Sequence, residues 1–325
     1  MVSKNPVYLG YDDPVNLKFE NAIEALDIKL RSCTPEDALL DTVVRAVLST
    51  WEEGPDTEIS DIQKVRTLRN VFKGNTIPAA KRFINMTWSF NNISMQEVTH
   101  ILRYQTWDFI AQCSDTISWR DKTVLVPDGI MNSPELYERF KKLANEAVSL
   151  YADALDTREV SLLDSRRALI RAMSTFYWVH NDFQSAQKFI YDRLSEEFQP
   201  QEDNVIAMQM ALQIEKAYPL ATGIFDLDRV DAFYLSMITD HGRTFQPRPL
   251  AKKRIPDEML DELDFAYDKQ RNEYRGTSKP DQSAFEKFKK NAIEELKDIE
   301  NDNRKLVKDK YGIALDELDA MPSIV

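Results

Sequence analysis

Glycine is scarce, at 8 of 325 residues. Neither a GxGxxG nor a GxxxxGK[ST] pattern occurs, so the common glycine-rich phosphate loops are excluded. Cysteine is scarcer still. Cys33 and Cys113 give no disulfide framework and no CxxC metal pattern, which fits a reducing compartment. The three histidines show no HxH or HExxH spacing, so no metal site is expected. No apolar run approaches the ~18 residues of a membrane span. The opening MVSKNPVYLGYDDP lacks an apolar signal core. A cytoplasmic protein with no membrane partner is the expectation.

What is present is ordinary globular composition, 43% hydrophobic and 30% charged, with a net charge of −12. Such a surface repels nucleic-acid backbone, so no duplex partner is expected. A small anionic ligand needs only a few focused arginines. Apolar spacing predicts helices after Thr34-Pro35, with Leu39, Val43, Ala46 and Val47 on one face, and at 62–72, ended by Gly74. Residues 84, 86, 88 and 90 alternate with polar ones and predict a strand, followed by a turn at Asn91-Asn92. Ser94 with Glu97 reads as a capping box for a helix running to about Gln105. Further helices are expected at 134–155 (stripe Leu136, Phe140, Leu143, Ala147, Leu150, Ala154), 162–176, 183–198 and 205–217. The fold class expected is α+β, mostly helical, with a small antiparallel sheet packed against long helices. Residues 1–245 form the main domain in this reading. Residues 246–325 are a charged helical extension, with helices at 257–274 and 284–311.

The stretch MTWSFNNISMQEVTHILRYQTWDFIAQCSDT, beginning at Met86, resembles the signature region of the flavin-dependent thymidylate synthases, the ThyX family. Met86 and Trp88 take the strand positions of that region and Ile93-Ser94 its turn. Arg103-Tyr104-Gln105 takes the place of an Arg-His-Arg triplet. Gln112 to Thr116 takes the place of an E/Q-x-S-x-R element, and Pro127 that of a later proline. Downstream, Ser165 to Ile170 resembles Ala-Arg-x-x-Leu-Pro, and Phe189 to Arg193 resembles Phe-Leu-x-Leu-Arg. Upstream, Arg45 to Ser49 resembles the start of the first family helix. The resemblance covers about residues 40–220.

The resemblance implies transfer of a one-carbon unit to C5 of a pyrimidine deoxynucleotide, either deoxyuridylate or a variant such as deoxycytidylate. FAD would be the cofactor, methylene-tetrahydrofolate and NADPH the co-substrates, and a homotetramer the assembly. It places nucleotide binding on His100 (where the family has glutamine), Gln112, Ser114, Arg166 and Arg193. Guanidinium groups suit phosphate because they donate in a planar fork. Thr116 stands where the family has a further arginine, and Arg120 on the same loop is the candidate replacement. Flavin contacts would fall on Ser49, Arg103, Tyr104, Gln105, Asp182, Gln184 and Lys188, several with changed chemistry. No catalytic side chain is singled out. Two other readings stay open: a nucleotide-binding scaffold without catalysis, and a helical structural or assembly protein.

Overall fold

A computed structural model describes residues 12–50, 58–104, 106–112, 117–194, 201–227 and 283–321. The expected helix at 257–274 and the boundary at 245 lie outside these residues. The chain runs β1 (Lys18–Asn21), α1 (Ala22–Ala25), β2 (Asp27–Cys33), α2 (Glu36–Asp41), α3 (Val43–Leu48) and α4 (Asp61–Lys73). Next come β3 (Asn85–Ser94), α5 (Met95–Ile101), β4 (Asp108–Ala111), β5 (Thr123–Val126), α6 (Asp128–Met131) and α7 (Pro134–Asp156). Then follow α8 (Leu162–Ser165), β6 (Ser174–Asp182), α9 (Phe183–Arg193), α10 (Gln201–Ala217), α11 (Ser283–Tyr311) and α12 (Leu315–Ala320). This is the expected α+β architecture.

The sheet has the order β2-β3-β6-β4 and every pairing is antiparallel; β1 and β5 form a separate parallel pair. Its anchor is β3, where Met86, Trp88 and Phe90, like Ile84 just before it, are buried as the alternation predicts. Asn91-Asn92 is not a turn. The strand continues through a bulge, with Asn92 at φ 53, and pairs as far as Ser94 with Ser174. The expected helix at 162–176 is likewise corrected. Helix α8 gives way to a 3-10 turn at Arg166–Ala168, and β6 follows as a central strand.

Strand β2 is a sheet edge, and an edge leaves backbone groups unpaired. Helix α10 closes it with two glutamines. Gln209 and Gln213 accept from the Ile28 and Leu30 N–H groups at 2.8 and 2.6 Å, and Gln213 also donates to the Ile28 carbonyl at 2.6 Å.

Local signals hold at several helix ends. Ser60 and Gln63 form a capping box on α4, and Gly74 ends that helix at φ 84. Thr34 does not cap a helix; it exchanges hydrogen bonds with Asn85 instead. Ala46 is exposed, unlike Leu39, Val43 and Val47. Helix α5 is shorter than expected and leaves Leu102 exposed. On α7 the buried stripe is Ala144, Val148, Tyr151, Ala152 and Leu155, while Leu136, Leu143 and Leu150 of the expected stripe are exposed.

The described part of the extension, 283–321, packs on the main body. Phe285, Ala292, Leu296, Ile299, Val307, Ile313, Leu315 and Leu318 share its principal hydrophobic cluster. Position 306 of the expected seam is exposed and Val307 is buried in its place. Polar contacts lock the same surface. Arg69 pairs with both carboxylate oxygens of Asp319 at 2.9 Å, and Tyr311 donates to Glu36 at 3.0 Å.

Candidate nucleotide site

Three elements meet at the C-terminal end of α9. Helix α5 starts at Ser94, whose hydroxyl accepts from the Glu97 N–H at 3.1 Å. That start places Glu97 and His100 one turn apart, on the side facing α10. His100 Nδ1 lies 3.0 Å from Asp203 Oδ2 and 3.8 Å from Glu97 Oε2. Arg193, the last residue of α9, brings Nη1 to 3.3 Å from the same Asp203 oxygen. Its guanidinium carbon also lies 5.6 Å from the Tyr104 ring centre and 5.8 Å from that of Phe189. Tyr104 in turn donates to Asp192 at 3.1 Å, and Lys188 reaches the same Asp192 oxygen at 2.5 Å. A continuous polar chain therefore runs from Lys188 through Asp192, Tyr104, Arg193 and Asp203 to His100.

Burial sets the electrostatics. Asp203 and Glu97 are sealed from solvent, and Asp203 is pushed up to about 7 by desolvation. His100 is held below its ordinary range, first by burial and then by Arg193 and Arg103. Burial, and next to it the Asp192 charge, pushes the Tyr104 phenol upward, so it stays a neutral donor. The donor atoms of Glu97, His100 and Asp203 lie within 4.8 Å of one another, close enough for a metal ion. One guanidinium, that of Arg193, faces the two carboxylates there.

The remaining expected residues are distributed as follows. Gln112 follows β4, and its N–H donates to the Phe176 carbonyl at 3.2 Å. Arg166 opens the 3-10 turn before β6 and is half-buried. Ser49 closes α3, its hydroxyl on the Ala46 carbonyl. Arg103 is exposed. Asp182 caps α9 through the Ser185 N–H at 2.8 Å, and Gln184 accepts from Arg82 at 2.8 Å. Gln105, Ser114 and Thr116 lie outside the described residues. So His100, Tyr104 and Arg193 come together with Lys188 nearby, whereas Arg166 sits on a different element. Arg120 is buried and bound to the Asp13 and Ala152 carbonyls and to Asp156, so it stabilises the fold and does not replace the missing arginine.

Two cavities border these segments. A groove of about 300 Å³ is lined by Lys81, Gln184, Gln187, Lys188, Tyr191 and Asp192. Within it Lys188 donates to Asp192, Lys81 to Gln187 and Gln187 to Tyr191. A mostly apolar cavity of about 500 Å³ is bounded by Leu125, Phe140, Leu143 and Ile170, the last residue of the Arg166 segment. Sequence reasoning did not find Asp203, Asp192 or Lys81. The first two became visible only once helices distant in sequence were brought together. Lys81 stands beside Arg82 on the short 3-10 helix Pro78–Phe83.

The profile of the thymidylate synthase complementing protein family matches residues 29–220, more than half of the chain. The chain belongs to that family. Among solved structures it resembles a UMP/dUMP methylase, PolB from Streptomyces cacaoi, bound with 5-Br dUMP. The match has 15% identity and a TM-score of 0.50, and covers 65% of this chain and 97% of the methylase. The same methylase bound with 5-Br UMP matches at 16% identity and a TM-score of 0.47, covering 64% and 96%. At such identities the likeness concerns the fold. No curated protein matches the chain. Among the described residues no helix is long and apolar enough to cross a membrane.

Proposed function

We propose that the chain binds a pyrimidine deoxynucleotide and transfers a one-carbon unit to C5 of its base. The observation that carries this reading is the meeting of His100, Tyr104 and Arg193, drawn from separate segments of the family match, in one buried cluster. Arg166, Arg193 and Ser114 hold the phosphate, with Asp203 fixing the Arg193 guanidinium in place. His100 and Gln112 face the base. Ser49, Arg103, Tyr104, Gln105, Asp182, Gln184 and Lys188 line the flavin side. The carbon comes from methylene-tetrahydrofolate and replaces the C5 proton. Flavin, when bound, supplies the redox chemistry by relaying electrons from NADPH.

The family resemblance implies a site shared between subunits, in which Arg166 of one chain meets Arg193 of its neighbour. Two uncovered apolar faces support such an assembly: Leu136, Leu143 and Leu150 on α7, and Ile110, Phe176 and Trp178 on the sheet. Two distinct self-complementary faces are what a tetramer of dihedral symmetry requires.

A second reading, nucleotide binding without flavin, is favoured by one observation. Tyr104, Gln184 and Lys188 already have protein partners in Asp192 and Arg82. The absorption spectrum of the purified chain separates the two. Flavin bands, present on isolation or after FAD is added, are expected for the enzyme. A protein that stays colourless with FAD but binds nucleotide in a calorimeter rejects the flavin enzyme and supports the binder.

A further inference from the structure

His100 stands where the family resemblance expects glutamine, and its surroundings constrain what it presents to a ligand. Its Nδ1 faces two sealed carboxylates, Asp203 at 3.0 Å and Glu97 at 3.8 Å, with side chains 0% and 1% exposed. The His100 side chain keeps 17% of its surface, so the imidazole is the cluster's outlet. We propose that His100 is the specificity-determining residue for the base and that Asp203 is its positioning residue. Asp203 accepts the Nδ1 proton, and Nε2 then presents a lone pair to the pyrimidine edge. This rests on the nucleotide-site reading above.

The tautomer follows from the neighbours. Arg193 Nη1 lies 3.3 Å from the Asp203 oxygen that faces the imidazole. At a pH above the value of about 7 to which burial raises it, Asp203 is ionised beside that positive charge and leaves the shared proton on nitrogen. A neutral imidazole fixed in this way can only accept at Nε2. Uracil offers an N3–H there, whereas cytosine offers a bare N3, so the two lone pairs oppose each other. A glutamine amide can turn over and serve either base; an imidazole locked by Asp203 cannot.

Proton uptake reverses the preference. The charged groups facing His100 are Glu97 on its own helix, Asp203 on α10, Arg193 on α9 and Arg103 in the following turn. Burial, then the two arginines, hold the imidazole below its ordinary range. In acid the Asp203–His100 pair takes up a proton; whether it rests on Asp203, which then donates to Nδ1, or on the imidazole, Nε2 carries hydrogen and becomes a donor. It then suits cytosine N3 and loses its match to uracil N3–H.

The test is calorimetric titration of the full chain with dUMP and dCMP at about pH 8 and about pH 5.5, on either side of the raised Asp203 carboxyl. One mismatched buried hydrogen bond corresponds to roughly a tenfold preference for dUMP at the higher pH, narrowing in acid. His100→Gln is expected to bind both nucleotides with a ratio that no longer changes with pH. Asp203→Asn removes the carboxyl that shares the added proton, so the midpoint of the change moves to lower pH. If Asp203→Asn does not fold, His100→Gln decides the matter alone. A preference for dCMP at the higher pH overturns the proposal, as does a wild-type ratio that is flat with pH or a His100→Gln variant that keeps the wild-type profile. A wild-type chain that binds neither nucleotide overturns the site reading, and this inference falls with it.

Discussion

A chain ending at residue 282 is expected to lose its cooperative fold. Truncation removes Phe285, Leu296, Ile299, Val307, Ile313, Leu315 and Leu318 from the principal core, each no more than 7% exposed. Full burial of such side chains contributes roughly 1.5–3 kcal/mol each, so the loss is on the order of 10–20 kcal/mol. A domain of this kind has only about 5–15 kcal/mol in total. Polar losses add to this: Arg69, nearly buried on α4, is left without Asp319, and Glu36 without Tyr311. Thermal unfolding followed by circular dichroism is the check. A truncated chain that stays soluble and melts as sharply as the full one would show that α11 and α12 are accessory.

Arg193→Met is expected to be the most damaging single substitution at the site. It strands Asp203, which is fully buried and paired with that guanidinium. Breaking a buried pair from one side costs about 3–5 kcal/mol when the remaining charge stays ionised. Asp203 can escape by holding a proton, and desolvation already pushes it up to about 7. A carboxyl raised in the folded state weakens the fold as pH rises from its unfolded value through its folded one. Loss of Arg193 raises it further. The melting temperature of Arg193→Met should therefore fall furthest below the wild type above neutral pH and approach it in acid, with nucleotide binding lost throughout. A deficit independent of pH would show that Asp203 is not the group left uncompensated.

The elements that were legible in the sequence are those whose signals are local. Alternation at 84–90, the Ser94 cap and Gly74 each act within one turn or strand, and each is in place. Strand β6 was not legible. It is a central strand whose outward side chains Phe176 and Trp178 are large and apolar, so it lacks the polar alternation of a half-exposed strand. Helix α7 carries two apolar stripes, and spacing alone favoured the bulkier one, which faces outward. Of the residues the family pattern names, His100, Tyr104 and Arg193 meet in the structure. Asp203 was not, because its role depends on α10 packing against both α5 and α9, and no spacing along the chain encodes that contact.

The central claim is that a phosphate is gripped by guanidinium groups from two segments of the chain. Its most direct measurement compares dUMP with deoxyuridine by calorimetry, in the wild type and in Arg166→Ala. A charged bidentate grip predicts that removing the phosphate weakens wild-type binding by about a hundredfold. Arg166→Ala should lose most of that difference while FAD affinity changes far less. Equal affinity for nucleotide and nucleoside, or equal losses of nucleotide and flavin binding in Arg166→Ala, would contradict it.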